Sequence, residues 1–162
     1  MLLGILSDTH DRIERTAAAI DLLRQAGAEA LVHCGDFISP VVVELLAGLP
    51  SYIVFGNNDS GRIRELERAA AQVGAMSLGP GDLITLAGRT IAITHGHLAA
   101  ETRRLLALQP DYLLTGHSHR RHDVREGRTR RINPGALHRT RTFTVALLNL
   151  ASDEVRFLLV PP

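Results

Sequence analysis

Carboxylate, carboxamide and imidazole side chains recur in five short clusters along this 162-residue chain: Asp8-Thr9-His10, Gly35-Asp36, Gly56-Asn57-Asn58-Asp59, His95-Gly96-His97 and Gly116-His117-Ser118-His119. Oxygen and imidazole donors with no thiolate among them suit Mn²⁺, Fe or Zn²⁺, so the chemistry on offer is metal binding. Each cluster alone has a plainer reading. Gly-Asp is commonly a turn, Asp11 could cap a following helix, and one histidine at a strand end is usually a hydrogen-bonded surface or core residue. Taken together the clusters argue for chemistry, because each follows a short apolar run, and ligands gather at the carboxyl ends of strands in open α/β sheets.

The apolar runs supply the elements that must position these groups. Leu2, Leu3, Ile5 and Leu6 read as a strand buried on both faces. If strand geometry persists through its end, Asp8 and His10 point to the same side. Ile13, Ala17, Ile20 and Leu23 then recur at threes and fours, a helix ending at Gly27. The unit repeats with a strand over 30–34 and a helix opened by Pro40, then with a strand over 52–55 and a helix carrying Ile63, Leu66 and Ala70 as far as Gly74. This alternation predicts a largely parallel sheet covered by helices. Strands over 83–86 and 90–94 flank a Gly88 turn as a hairpin, a helix spans 99–108, and a strand over 112–115 leads into the last cluster. Beyond it the chain reads as β structure, with strands over 143–150 and 155–160.

Length and the absence of linkers or repeats fit one domain over residues 1–162. A net charge of +1 gives no general argument for nucleic acid or membrane binding. All 18 basic residues are arginine, and eight of them lie between Arg120 and Arg141. That cluster either grips phosphate or a nucleic-acid backbone, or forms a solvated hairpin face. Cys34 is the only cysteine, which rules out an internal disulfide and fits a buried, inert thiol. With no signal-peptide pattern and no apolar run of about 18 residues, the expected location is cytoplasmic, away from any membrane.

Asp-x-His, Gly-Asp, Gly-Asn-x-Asp, an isolated His and Gly-His-x-His, in this order over residues 1 to 135, resemble the calcineurin-like metallophosphoesterase family. The Asn133-Pro134-Gly135 turn resembles its small bacterial and archaeal phosphodiesterase branch. The resemblance implies an α/β fold, a four-layer α-β-β-α sandwich of two mixed β-sheets flanked by helices, with two divalent metal ions at the strand ends. Carried over by position, it assigns one ion to Asp8, His10, Asp36 and His119 and the other to Asp36, Asn57, His95 and His117, with Asp36 bridging. Mn²⁺ is the first expectation for the metal, ahead of Fe, Zn²⁺ or Ni²⁺. A hydroxide held between the ions would attack phosphorus in line.

One position departs from the pattern: where many members carry a general-acid histidine, this chain has Asn58. An amide delivers no proton at neutral pH, which favours phosphodiesters or activated esters with good leaving groups. His97 either supplies part of that function from across the site or is a packed histidine. His33 reads as a hydrogen-bonded core residue. His122 and His138 either touch substrate or face solvent, and Asp59 either orients a ligand from behind or caps a helix.

The leading reading is a metal-dependent phosphodiesterase acting on small phosphoesters, with no inserted segment long enough to form a cap. Alternatives are a phosphomonoesterase, a nuclease if the arginines line a groove, and a non-catalytic binding scaffold like the retromer subunit of this fold. Resemblance also raises the expectation of a homo-oligomer.

Overall fold

The computed structural model describes all residues from Met1 to Pro162. In chain order the elements are β1 (Leu2–Leu6), α1 (Ile13–Gln25), β2 (Ala30–His33), α2 (Pro40–Glu44), β3 (Ser51–Ile53), a 3₁₀ turn (Asn57–Asp59), α3 (Ile63–Val73), β4 (Met76–Ser77), β5 (Gly81–Leu86), β6 (Arg89–Thr94), α4 (Ala99–Ala107), β7 (Tyr112–Leu114), β8 (His122–Glu126), β9 (Thr129–Asn133), β10 (Thr144–Asn149) and β11 (Glu154–Leu159). No helix is long and apolar enough to cross a membrane.

The strands form two mixed sheets. One runs β11-β10-β1-β2-β3-β4 and the other β5-β6-β7-β9-β8. Strand residues alternate between faces, and that period of two builds the layers. Leu3, Ile5, Val32, Ala146 and Leu148 of the first sheet meet Ile91, Ile93, Leu114 and Ile132 of the second in a core between the sheets. Their neighbours Leu6, Leu31, Val145 and Leu147 face outward onto Ile20 and Leu23 of α1, Val42 of α2 and Leu66 of α3. On the far side Ala92 and Leu113 pack on Leu105 of α4. The order is therefore helices, sheet, sheet, helix, the sandwich that the resemblance implied.

The helix–strand alternation pairs β1 to β4 in parallel, and β6 with β7 across α4 likewise; β10 and β11 extend the first sheet antiparallel. The expected hairpin is present, β5 pairing antiparallel with β6 around Gly88. Strands β2 and β3 end one and two residues earlier than the apolar runs suggested, and β4 is a two-residue strand with no apolar run to announce it. Ile63 opens α3 on its solvent side, so the buried face of that helix is Leu66, Ala69 and Ala70. Asp11 does not cap α1; its Oδ1 accepts the Ser39 hydroxyl at 2.5 Å.

Past their last strand residues, the loops after β1 and β2 stay paired. The Asp8, His10 and Asp11 amides donate to the carbonyls of Gly35, Asp36 and Phe37 at 3.0, 3.0 and 3.1 Å. Asp59, fully buried, then ties the loop after β3 to the loop after β2. Its Oδ2 accepts the amides of Asp36 and Gly56, both at 2.8 Å, and its Oδ1 those of Phe37 and Ile38 at 2.9 and 3.0 Å. Removing a buried acceptor strands its donors at roughly 1 to 3 kcal/mol each, relieved where water enters. Asp59→Ala is therefore expected to lower the unfolding free energy by at least about 3 kcal/mol in urea titration. Asp59→Asn, which keeps one acceptor oxygen, should lose less.

Candidate metal centre

Five strand ends from both sheets meet at one place. Asp8 and Asp36 are the acidic centre, at most 2% exposed. Asp36 Oδ2 lies 3.4 Å from both His10 Nε2 and His95 Nε2, so it sits between a histidine of the first sheet and one of the second. Asp8 Oδ1 lies 3.3 Å from His119 Nε2 and 4.0 Å from His95 Nε2. The potential ligand atoms fall into two compact triads, Asp8–His10–His119 and Asp8–Asp36–His95, each within 4.8 Å.

Most of these residues do not follow the strand pleat. Asp8, His10, Asp36, His117 and His119 all have positive φ, between 44° and 64°. Asp8 and His10 thus converge through a left-handed turn, not through the alternation expected if β1 had continued. Left-handed backbone costs a non-glycine residue roughly 1 to 3 kcal/mol and persists only where surrounding contacts impose it. Here the paired loops and Asp59 impose it on the first sheet. On the second, Asn133 does so: its Nδ2 donates to Gly116 O at 2.7 Å and its Oδ1 accepts the Gly135 amide at 2.9 Å.

Two glycines are required by close approach. A Cβ on Gly56 would overlap Asp36 Oδ1, and one on Gly116 would overlap Ser7 Oγ and come within 2.8 Å of Asp8 Oδ2. The backbone itself is part of the wall around the carboxylates.

The imidazoles are held in one orientation. His95 Nδ1 lies 2.7 Å from Cys34 O and His119 Nδ1 lies 3.0 Å from His138 O. A carbonyl can only accept, so Nδ1 carries the proton in the neutral ring and Nε2 offers its lone pair to the centre. Burial opposes charge on His95, but Asp36 and Asp8 beside it raise its pKa above the ordinary histidine value. The Asp8 carboxylate likewise raises His119. His10 moves the other way, lowered chiefly by burial. Burial acts to raise Asp36, but His95 and the hydrogen bonds from Asn58 hold its carboxyl below the usual range.

The remaining candidates divide. The His117 amide donates to Asp8 Oδ2 at 3.0 Å, and its ring lies 5.2 Å from that of His95. Asn57 is exposed and lies on the wall of a neighbouring cavity. Asn58 is the amide that reaches the centre, donating from its backbone to Asp36 Oδ1 at 2.9 Å and from Nδ2 to Oδ2 at 2.7 Å. His97 stands beyond, its ring 5.3 Å from His95 and 6.1 Å from His117.

His33 is a core residue as expected: Nδ1 accepts the Gly35 amide, Nε2 faces Thr9 Oγ1, and burial lowers its pKa to about 3. Cys34 is fully buried, which raises its thiol pKa and keeps it inert. His138 touches the site, contrary to a solvent-facing reading. Its ring lies 4.7 Å from His10, its Nδ1 accepts from Arg12 Nε at 3.1 Å, and burial with His10 and Arg12 lowers its pKa to about 4. No local pattern marks it, since it reaches the centre by following the Asn133 turn. Half of the arginine cluster is neutralised internally: Arg125 and Arg130 pair with Asp153, Arg130 also with Asp123, Arg128 with Asp111 and Arg131 with Glu126.

Three atoms test whether this donor set suits a cation. Asp8 Oδ1, His10 Nε2 and His95 Nε2 are buried and have no hydrogen-bond partner, although carboxylate oxygens and imidazole nitrogens surround them at 3.3 to 4.0 Å. Buried polar atoms rarely stay unpaired, and donors that crowd without bonding to one another suit a common cation.

The comparisons agree with that chemistry. Residues 1–153 match the calcineurin-like phosphoesterase superfamily domain. The chain is 29% identical to a phosphodiesterase of Methanocaldococcus jannaschii over 96% of its own length and 97% of the relative's. It is 31% identical to YsnB of Bacillus subtilis, named a probable metallophosphoesterase, over 94% and 88% of the two chains. The solved structure of an archaeal phosphodiesterase aligns with a TM-score of 0.89 at 27% identity, covering 98% of this chain and 99% of that one. Vps29 of Entamoeba histolytica complexed with Zn²⁺ aligns at 0.61 and 16% identity over 99% and 98% of the two chains, a likeness of fold alone. With a match that runs through all five clusters and both sheets, the chain belongs to the calcineurin-like phosphoesterase superfamily.

Proposed function

We propose that this protein is a phosphodiesterase of small phosphoesters that works with two divalent cations, Mn²⁺ foremost. The reading extends to a single domain over residues 1–162 without a cap, and to a cytoplasmic location. The observation that carries it is the trio of buried, unpartnered donor atoms on Asp8, His10 and His95. Asp8, His10, Asp36 and His119 would hold one ion, and Asp36, His95, His117 and Asn57 the other, Asp36 being shared. Asn57 must turn inward from its exposed place to join them.

Bound cations of this kind bring the pKa of water towards neutrality and offset negative charge on phosphoryl oxygens. The chain's own residues do the rest. Asp8 and Asp36 supply the anionic field that concentrates cations at the strand ends, and the carbonyls of Cys34 and His138 keep His95 and His119 in the ligating tautomer. Asn58 fixes the Asp36 carboxylate through two hydrogen bonds and has no proton to give to a departing alkoxide. His97, whose pKa is lowered by burial and by the neighbouring His95 and His117, stands where it can orient a leaving group, although it is mostly neutral near pH 7. This balance favours diesters with stable leaving groups over alkyl monoesters.

Elemental analysis of the purified protein should find about two divalent ions per chain. Asp36→Asn should retain less than half of that metal and lose at least about 100-fold in kcat on bis(4-nitrophenyl) phosphate with Mn²⁺. A fully loaded Asp36→Asn variant with ordinary turnover would sink the assignment. In thermal or urea unfolding of metal-stripped protein, Mn²⁺ at a hundredfold excess over its Kd should add about 2.7 kcal/mol of stability for each independent site. His95→Ala should reduce that gain.

Asn58→His tests the leaving-group argument. Restoring a proton donor is expected to raise alkyl diester turnover by about 10- to 100-fold while aryl diesters change little. An unaltered ratio of aryl to alkyl rates would count against it.

A further inference from the structure

Beside the carboxylate and imidazole cluster the surface sinks into a cavity of about 350 Å³, walled by Phe55, Ile63, Pro80 and Leu98, with Asn57 and His97 also on its lining. Ile63 and Leu98 are 36% and 44% exposed, large apolar side chains turned partly to water at its mouth. His97 joins the cavity to the site, since its ring lies 5.3 Å from that of His95. Its Nδ1 is shielded from water and has no hydrogen-bond partner within the chain. A pocket of this size, mainly apolar with a few polar groups on its lining, is suited to a small organic group.

The opposite flank differs. Next to His119 lies a smaller cleft of about 270 Å³ lined by Arg120, Arg121, Thr140, Thr142 and Thr144, which is basic and hydroxylated. A diester whose phosphorus sits over the cluster therefore meets two unlike environments. The apolar cavity carries one charged residue, Glu67, so an anionic substituent is repelled there, whereas a flat uncharged ring removes apolar surface from water.

Building on the phosphodiesterase reading, we infer that this cavity is the subsite for one ester arm of the substrate, and that the arm is planar, apolar and uncharged, an aryl ring or a nucleobase. Substrate selection then lies with Phe55, Ile63, Pro80 and Leu98, while the metal-site residues treat all diesters alike. The Glu67 carboxylate supplies a polar contact that would orient such a ring.

The test compares competitors of diester cleavage whose P–C bond cannot be hydrolysed and whose methoxide leaves slowly, the monomethyl esters of phenylphosphonate and methylphosphonate, which carry the same charge and differ only in the arm. The phenyl compound is expected to inhibit at least about tenfold more tightly. Leu98→Asp and Ile63→Asp should each bring the ratio of the two inhibition constants towards one. Aspartate is a favourable residue at the start of a helix, where both positions lie, so folding is not at stake. A third competitor, a nucleoside 5′-methylphosphonate, separates a nucleobase from a simple ring. As a readout independent of turnover, the Ile63 and Leu98 methyl resonances of metal-free protein should shift with the phenyl ester and not with the methyl ester. Equal inhibition constants in a protein that does hydrolyse diesters overturn the subsite and leave the phosphodiesterase reading standing. Absence of any metal-dependent diester hydrolysis removes that reading, and the subsite with it.

Discussion

Two carboxylates buried side by side are the constraint on which the rest of the molecule turns. Moving an ionised carboxylate out of water costs several kcal/mol even in a relaxed protein interior, and Asp8 and Asp36 also repel one another. The surroundings answer this with directed donors, the His117 amide on Asp8 and both Asn58 donors on Asp36. They leave an oxygen and two imidazole nitrogens without partners. An interior that commits so many polar groups to one point, and still leaves donor atoms unsatisfied, is organised for positive charge.

That constraint explains features that look costly in isolation. Five candidate residues hold left-handed backbone, and two glycines lie where no side chain fits. Asp59 gives its whole carboxylate to four backbone amides of the neighbouring loops. Apart from the Gly56 amide, which Asp59 caps at the start of its own 3₁₀ turn, none of these contacts serves a helix or a sheet. They position the carboxylates, and strain of this sort survives because the packed sheets beneath are stable enough to carry it.

The sandwich also divides the work. The first sheet brings Asp8, His10 and Asp36, and the second brings His95 and His119, so each triad draws on both sheets. Neither sheet alone holds a complete set, so the apolar core between them, Leu3, Ile5 and Val32 against Ile91, Ile93 and Leu114, joins the two halves of the site. Stability and site geometry are thereby coupled, because the same core that holds the sheets together holds His95 and His119 against Asp8 and Asp36.

Residue type and order were readable from the chain itself. Apolar runs of four or five residues ending in Asp, Asn or His announced strands with chemistry at their carboxyl ends, and helical spacing placed α1, α3 and α4 within a residue or two. His33 and Cys34, set inside an apolar run, were legible as inert core. What depended on partners far along the chain was not. Only the tertiary structure decided that Asp59 clasps loops more than twenty residues away, that Asn58 and not Asn57 rests on Asp36, and that His138 stacks on His10. It also decided which arginines are paired with Asp111, Asp123, Glu126 and Asp153. The physical reason is one of range. Burial periodicity is written every two or three residues, whereas a hydrogen bond or ion pair chooses its partner only after packing has fixed which loops lie side by side.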